Sequence, residues 1–306
     1  MKKMVALMAL SILFAGQSFA LDEAAELNEK LSVIGFGKLF SLEPKTQIEK
    51  IMSNHLKYSN RHNLKKLRSY YDDRYVNADG FDVNTYFKLV EEAWKSYPDI
   101  EYSSEIKNIT VNGDFAIVQT IDSAKGIAKE ISEYLGDKGL LESSSEIIYY
   151  LKKSGNTWVI VSDEAIREKT YMKYGEAKDI AFDIIAPPVA MAGQEYSVLF
   201  AVDVPKDNIV LGSITNEKIT FPSERPKEVF RKLKNDGILE RFVRANNDGF
   251  NEQAVVSVGI TKAEMGENMD MQLSVSGVAF LMSRVNVVKA KKFDISGITS
   301  EKESEL

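Results

Sequence analysis

The chain has 306 residues, of which 44% are hydrophobic and 27% are charged, so we expect a folded protein of about two domains rather than a disordered one. Its formal net charge is −6, and an acidic chain does not attract phosphate backbones, which argues against a nucleic-acid partner. It has no cysteine, which excludes disulfides, thiolate catalysis and thiolate metal sites.

The first 20 residues have the pattern of a secretion signal. Two lysines precede an apolar run, and Ser18 and Ala20 stand at the positions that a signal peptidase reads. The run is shorter than the roughly 20 residues that span a bilayer, so we expect cleavage after Ala20 and no membrane span in the mature chain. Loss of both lysines takes the charge from −6 to −8. A signal peptide on a chain that has no cysteine predicts a periplasmic protein, and secretion into the medium is the alternative.

Four stretches before residue 100 carry apolar residues at three- and four-residue steps. The lead-in, residues 21–44, is interpreted either as a short packed helix or as an arm that docks on a partner. The other three predict helices near residues 46–58, 64–71 and 84–96, the last ending before Pro98 because the residue before proline disfavours helix.

From residue 100 onward, the spacing of the apolar residues changes from that of helices to that of strands. Residues 100–112, 114–122, 141–153 and 156–166 predict four strands joined by tight turns at Gly113 and Gly155 and by one longer connection. In this connection, residues 123–140, apolar residues at four-residue spacing predict a short amphipathic helix.

This order of elements, with ITVNGDFAIVQ at residues 109–119 and YYLKKSGNTWVIVSDEAI at 149–166, resembles the NTF2-like (SnoaL-like, cystatin-like) superfamily. The resemblance covers roughly residues 45–172. It implies a cone in which a curved antiparallel sheet wraps around three helices and whose interior either holds a small molecule or is filled by side chains. Functions in this superfamily range from isomerases and cyclases to non-catalytic binding domains, so the fold alone does not decide the function.

The second half is rich in alternating apolar residues. AFDIIAPPVAMAGQEYSVLFAVDVP at residues 181–205 is similar to the first two strands of an immunoglobulin-like β-sandwich, and further strands are predicted up to residue 288, with a helical connection near residues 226–233. The predicted fold is therefore α+β, an NTF2-like cone followed by an all-β immunoglobulin-like sandwich. Its segments are a signal peptide (1–20), a lead-in (21–44), the cone (45–173), the sandwich (179–293) and a polar tail (294–306).

His55 is the first candidate site residue, because histidine titrates near neutral pH and could act as a general base inside the cone. It falls on the apolar face of the first predicted helix. The competing interpretation is a core histidine bonded to a carbonyl group or to a tyrosine.

The second candidate group consists of the tyrosines of the helical region with Trp94, namely Tyr58, Tyr70, Tyr71, Tyr75 and Tyr86. Their hydroxyls could stabilise an oxyanion beside a neutral carboxylic acid, as the resemblance to isomerases of this superfamily implies. They could equally fill a core. The isomerase pattern also needs inward acids, whereas Asp114, Asp122 and Asp163 are predicted at strand ends or turns, where exposure is expected.

Asp79, Asp82 and Asn84 offer oxygens that calcium prefers, but the twelve-residue calcium loop is absent and helix capping explains them better. We expect no metal and no cofactor.

The sequence therefore predicts an exported envelope protein that acts as a non-catalytic binding or assembly module, with another envelope protein or a second copy of itself as partner. The alternative is a small-molecule carrier, or an enzyme of the ketosteroid-isomerase type, that binds a small apolar ligand in the cone. The lining residues would be His55, Tyr58, Tyr71, Tyr86 and Trp94. A deep polar pocket favours the alternative, and a cone filled by Met52, Leu89 and Trp94 contradicts it.

Overall fold

The computed structural model describes residues 43–204, 208–223, 227–234, 236–265 and 271–289. The predicted signal peptide, the lead-in up to residue 42 and the polar tail lie outside the described residues. The fold is α+β, with few helices and a large antiparallel sheet.

Three helices precede the strands, as predicted. They are α1 (Pro44–Asn60), α2 (Leu64–Arg68) and α3 (Val83–Ser96). Proline suits the first turn of α1, because its fixed φ is helical and its missing N–H has no helical partner there. Asp82 caps α3 by accepting a hydrogen bond from the Thr85 N–H at 2.8 Å. Within the described ranges, no helix is long and apolar enough to cross a membrane.

Four long strands follow in consecutive antiparallel hairpins. They are β1 (Glu101–Asn112), β2 (Phe115–Ile131), β3 (Lys138–Ser154) and β4 (Thr157–Gly175). The helix predicted within residues 123–140 is wrong, because β2 and β3 extend through most of this connection. Residues four apart share one face of a strand as well as of a helix. Ile127 and Ile131 are accordingly exposed on one face of β2, while Ala124 and Ala128 are buried on the other.

Eight further strands follow a short 3-10 helix, Glu176–Asp179. They are β5 (Phe182–Ile185), β6 (Val189–Met191), β7 (Glu195–Val202), β8 (Asn208–Lys218), β9 (Arg231–Lys232), β10 (Ile238–Arg244), β11 (Glu252–Met265) and β12 (Met271–Val288).

The helical connection predicted near residues 226–233 is wrong for the part that is described. Residues 227–230 have no regular structure, and β9 pairs with β8. The Val229 N–H donates to Ser213 Oγ at 3.1 Å, which holds the segment along β8.

The strands form two sheets. The larger has the order β1-β2-β3-β4-β12-β11-β8-β9, with β6 added in parallel to β12, and the smaller has the order β10-β7-β5. Strand β4 pairs with β12 from Lys169 opposite Ser283 to Gly175 opposite Gly277. The larger sheet therefore crosses the region near residues 173–178 where the sequence predicts a domain boundary.

Two hydrophobic cores lie on this framework. In the first, the helices pack on β1 to β4, with Met52, Leu89 and Trp158 fully or almost fully buried. In the second, the smaller sheet packs on β8, β11 and β12 around aliphatic side chains and Phe200.

Candidate functional site

A chain of hydrogen bonds connects His55 to two tyrosines in the first core. The His55 Nε2 atom lies 2.7 Å from the Tyr71 hydroxyl, which lies 2.6 Å from the Tyr86 hydroxyl. His55 and Tyr86 have no exposed surface, and Tyr71 is 4% exposed. This is the geometry of the core-histidine interpretation, because α1 turns His55 inward together with Ile51 and Met52.

Burial decides the protonation of these groups. It lowers the pKa of His55 to about 3, so the imidazole is neutral at physiological pH. It raises the pKa of Tyr71 and that of Tyr86 well above the ordinary value, so both phenols keep their protons.

Two buried aspartates complete the arrangement. Asp122 of β2 accepts hydrogen bonds from the Tyr149 hydroxyl at 3.3 Å and from the Ser104 hydroxyl, and Asp163 of β4 accepts one from the Tyr75 hydroxyl. Burial raises the pKa of each carboxyl to about 7, although the hydroxyl donors oppose this shift. The expectation that Asp122 and Asp163 lie exposed at strand ends is therefore wrong, since both strands continue beyond them. Asp114 is in a turn and exposed, as expected.

We call this set the inner polar cluster, and ring contacts of 5 to 6 Å join its aromatic members. It consists of His55, Tyr71, Tyr75, Tyr86, Asp122, Tyr149 and Asp163. Of the five predicted lining residues, the structure brings together His55, Tyr71 and Tyr86. Sequence reasoning missed Tyr149, named Tyr75 among the candidate tyrosines but not as a lining residue, and predicted the two acids to be exposed.

The other two predicted lining residues belong to separate aromatic pairs. Tyr58 is half-buried and stacks on Tyr70, with ring centroids 6.2 Å apart. Trp94 stacks on His62 at 4.8 Å and donates its indole N–H to the Tyr102 hydroxyl at 3.2 Å.

The inner polar cluster has the parts of an acid–base site. Acids that titrate near pH 7 are suited to proton transfer, and the tyrosine hydroxyls are hydrogen-bond donors. However, the acids and hydroxyls already bind one another, and Met52 and Leu89 are buried in the same core. The cluster as described is packed rather than open.

Two described cavities lie elsewhere. A cleft of about 530 Å³ lies on the outer face of the larger sheet, beside residues 185–188. A smaller cavity of about 240 Å³ lies at the C-terminal end of α3, against Tyr97 and Tyr174. No member of the inner polar cluster lines either of these two.

The outer face of β2 exposes a row of large apolar side chains, which we call the β2 strip. Each is between 43% and 59% exposed, whereas the alternate residues of the strand point into the first core. The strip consists of Phe115, Ile117, Ile121, Ile127 and Ile131.

A buried ion pair joins the first core to β12. The Arg284 guanidinium donates to both carboxylate oxygens of Asp79, at 2.5 and 3.0 Å, and the Arg284 side chain is only 1% exposed. Asn251 donates a further bond to Asp79 at 2.8 Å. Asp79 is thus a structural partner of the second half of the chain.

No family model matches this chain, and the search of curated proteins gave no match. Solved structures do match over part of it. A conserved protein from Planctomyces limnophilus is 14% identical, with a TM-score of 0.34 and coverage of 39% of this chain and 91% of that one.

Two further solved structures are similar to this chain. A protein assigned as a scytalone dehydratase from Novosphingobium aromaticivorans is 16% identical, with a TM-score of 0.33 and coverage of 39% of this chain and 80% of that one. The hexachlorocyclohexane dehydrochlorinase LinA-type3 from Novosphingobium barchaimii is 13% identical, with a TM-score of 0.33 and coverage of 46% and 88%. Such neighbours are NTF2-like proteins that match about 40% of this chain. Since these TM-scores are below 0.5, we argue the function from the residues of this chain alone.

Proposed function

We propose that this protein is an exported, non-catalytic binding or assembly module and that the β2 strip is its contact surface. The observation that carries the proposal is the exposure of five large apolar side chains on one face of a single strand. Gln119, Ser123, Lys125 and Lys129 of the same face separate these side chains, and exposed apolar groups set among polar ones are typical of protein–protein contact sites. The partner is a second copy of the chain or another envelope protein.

The packing of the first core supports a binding role over catalysis. His55 and Tyr86 have no exposed surface, and Met52, Leu89 and Trp94 are buried within the same core. A substrate would therefore have to displace packed side chains to reach the acids.

We further propose that residues 45–173 are an NTF2-like cone and that residues 179–293 are an immunoglobulin-like sandwich. The packing of three helices on β1 to β4 supports the first assignment. The packing of the smaller sheet across an aliphatic core on β8, β11 and β12 supports the second. The N-terminal signal pattern supports export to the periplasm.

The test replaces two residues of the β2 strip by charge, Ile117→Glu with Ile127→Glu. Light scattering after size-exclusion chromatography is expected to give a dimer for the wild-type mature chain at micromolar concentration and a monomer for the double variant. Ile238→Glu on β10 is the matched control, because Ile238 is 48% exposed outside the strip. A wild-type monomer, together with a cross-linking pull-down from the native envelope that recovers the same proteins with both forms, contradicts the proposal.

A second candidate function is a small-molecule carrier or an enzyme that uses the cone. The observation that favours it is the inner polar cluster, in which two carboxyls with a pKa of about 7 lie near a neutral histidine and several phenols. Native mass spectrometry of freshly purified protein tests it, because a ligand bound in the cone is retained as a defined mass. A mass equal to that of the bare chain, also after incubation with small apolar ketones, argues against this function.

A further inference from the structure

The cleft of about 530 Å³ has a size that suits a small organic ligand, since such sites range from about 300 to 1,000 Å³. Its floor is the outer face of β2, β3 and β4, where Ile121, Glu146 and Arg167 stand opposite one another on neighbouring strands. Its other wall is formed by Ile185 at the end of β5 and by Ala186 and Pro188 of the connection from β5 to β6.

This second wall is anchored on both sides. Strand β5 belongs to the smaller sheet and β6 to the larger one, so the connection crosses between the sheets. It contains two prolines, and the Pro188 carbonyl accepts a hydrogen bond from the Asn286 N–H at 2.9 Å. The Asn286 side chain in turn donates to the Ile166 carbonyl of β4 at 3.0 Å. The cleft is therefore formed before any ligand arrives, which lowers the entropy cost of binding.

A β-bulge lies on the floor of the cleft. Glu146 pairs with Arg167 and the next residue, Ile147, pairs with Ala165, so Ile166 is an extra residue in β4. A bulge of this kind changes the direction in which the following side chain points. Arg167, which follows it, lines the cleft and is exposed.

The other charged side chains around the cleft have partners of their own, so the Arg167 guanidinium is available to a ligand. Lys169 binds Asp183 at 2.8 Å, and Glu146 accepts a hydrogen bond from the Gln119 amide at 2.8 Å. Among the described residues, no hydrogen bond or ion pair engages the Arg167 guanidinium. The other charged lining residues are Glu168, which is 4% exposed, and Arg284, which binds Asp79, and three serines line the cleft as well. The apolar part of the lining is Ile121, Ile185, Ala186 and Pro188.

We propose that this cleft binds a small amphipathic carboxylate, with the apolar body against Ile121, Ile185 and Pro188 and the carboxylate on Arg167. A planar guanidinium holds a carboxylate through two parallel hydrogen bonds, which gives the site its charge preference. The site differs from the inner polar cluster, because the cleft lies on the outer face of strands β2, β3 and β4 and the cluster lies on their inner face. The cleft also differs from the β2 strip, because it contains the Arg167 guanidinium, although Ile121 belongs to both.

The test is a titration of the full mature chain with octanoate, and with octanamide as the uncharged match, followed by calorimetry and amide NMR shifts. We expect saturable octanoate binding that shifts the amide signals of Ile121, Ile185 and Ala186. Arg167→Gln should weaken octanoate binding by about tenfold or more, because a hydrogen-bonded charge is lost, and should leave the weaker octanamide binding unchanged.

Two further variants sharpen this test. Glu146→Gln removes the negative charge that stands opposite Arg167 on β3 and should tighten octanoate binding. Arg74→Gln, at a side chain that is 84% exposed and does not line the cleft, should change nothing. Absence of saturable binding, signal shifts outside the cleft or equal octanoate affinity for the wild type and Arg167→Gln would each overturn the proposal. Light scattering on Arg167→Gln separates this result from that for the β2 strip, since we expect its oligomeric state to equal that of the wild type.

Discussion

The two cores of this molecule treat buried acids differently. In the first core, Asp122 and Asp163 receive hydrogen bonds from hydroxyl groups alone, and burial raises the pKa of each to about 7. In the second region, Glu252 is equally buried but is bound by the Asn246 backbone N–H, by the side-chain amides of Asn246 and Asn216, and by the Tyr196 hydroxyl.

The difference lies in the number and type of donors. Four donors, three of them N–H groups, satisfy the buried Glu252 side chain and tie residue 246 to β7 and β8, so Glu252 is a structural group. The hydroxyl groups around Asp122 and Asp163 do not compensate fully for burial, so these two acids can exchange protons near neutral pH.

The largest expected effect comes from removing the ion pair that joins the two regions. Arg284→Ala leaves Asp79 buried without its cation, which should lower the free energy of unfolding by about 3–5 kcal/mol. Urea unfolding measures this loss. Both tryptophans, Trp94 and Trp158, lie in the first core, so their fluorescence reports that region, while circular dichroism reports the whole chain.

We expect the two probes to give one midpoint in the wild type and two different midpoints in Arg284→Ala. The paired variant Asp79→Asn with Arg284→Met is the control, because it removes both charges and should recover part of the lost stability. A loss below about 1 kcal/mol in Arg284→Ala would show that the ion pair does not couple the regions.

A smaller effect is a fall in stability as the pH rises from 5.5 to 7.5. The folded-state pKa of Asp122 and that of Asp163 are raised to about 7 from an ordinary value of 3.8. The folded protein then binds more protons than the unfolded chain between these values, so each acid lowers stability by about 1.4 kcal/mol per pH unit near pH 5.5 and by about half as much near pH 7. Asp163→Asn keeps an acceptor for Tyr75 and should reduce the slope of stability against pH.

His55 acts with the opposite sign and provides the internal control. Its folded-state pKa is lowered to about 3 from 6.5, so the stability that it contributes is lost as the pH falls through this window. Replacing it by glutamine should steepen the decline in stability between pH 5.5 and 6.5 and leave the decline above pH 6.5 unchanged. A wild-type stability that rises over this whole range would show that the acids are ionised in the folded state.

The smallest expected effect is at the surface of the second region. Arg244 and Glu195 form an ion pair at 3.1 Å, but both side chains are more than half exposed. Arg244→Ala should change the melting temperature by no more than the equivalent of about 0.5 kcal/mol, because solvent screens the pair. A fall in melting temperature as large as that of Arg284→Ala, measured by scanning calorimetry, would mean that an exposed ion pair stabilises this protein as much as the buried one.

Much of the fold could be predicted from the sequence, because periodicity follows from which face of an element is buried. The three helices and the hairpin turns at Gly113 and Gly155 were predicted on this basis. The lengths of β2 and β3 were not, since the four-residue spacing of Ile127 and Ile131 fits a strand face as well as a helix face. The pairing of β4 with β12 depends on residues far apart in the chain and has no local signal.

The site was harder to predict. Asp122 shares the inward face of β2 with Val118 and Thr120. The alternation of inward and outward residues therefore places Asp122 in the core, but the predicted strand ended at residue 122, where exposure was expected. Asp163 follows a register irregularity at residues 160–162, which shifts the inward positions of β4 from Ile160 to Asp163. The alternation of apolar and polar residues in the sequence cannot reveal such a shift, because the position of the extra residue depends on the pairing between strands.

The shared strand β4 also makes the first half of the chain dependent on its last strand. In a copy that lacks β12, the stretch of β4 from Lys169 to Gly175 would present backbone N–H and carbonyl groups with no neighbour on that side. A truncated copy would thus be open to pairing with the same stretch of another molecule. Residues 277–283 close this edge, so their pairing protects the folded chain against edge-to-edge association.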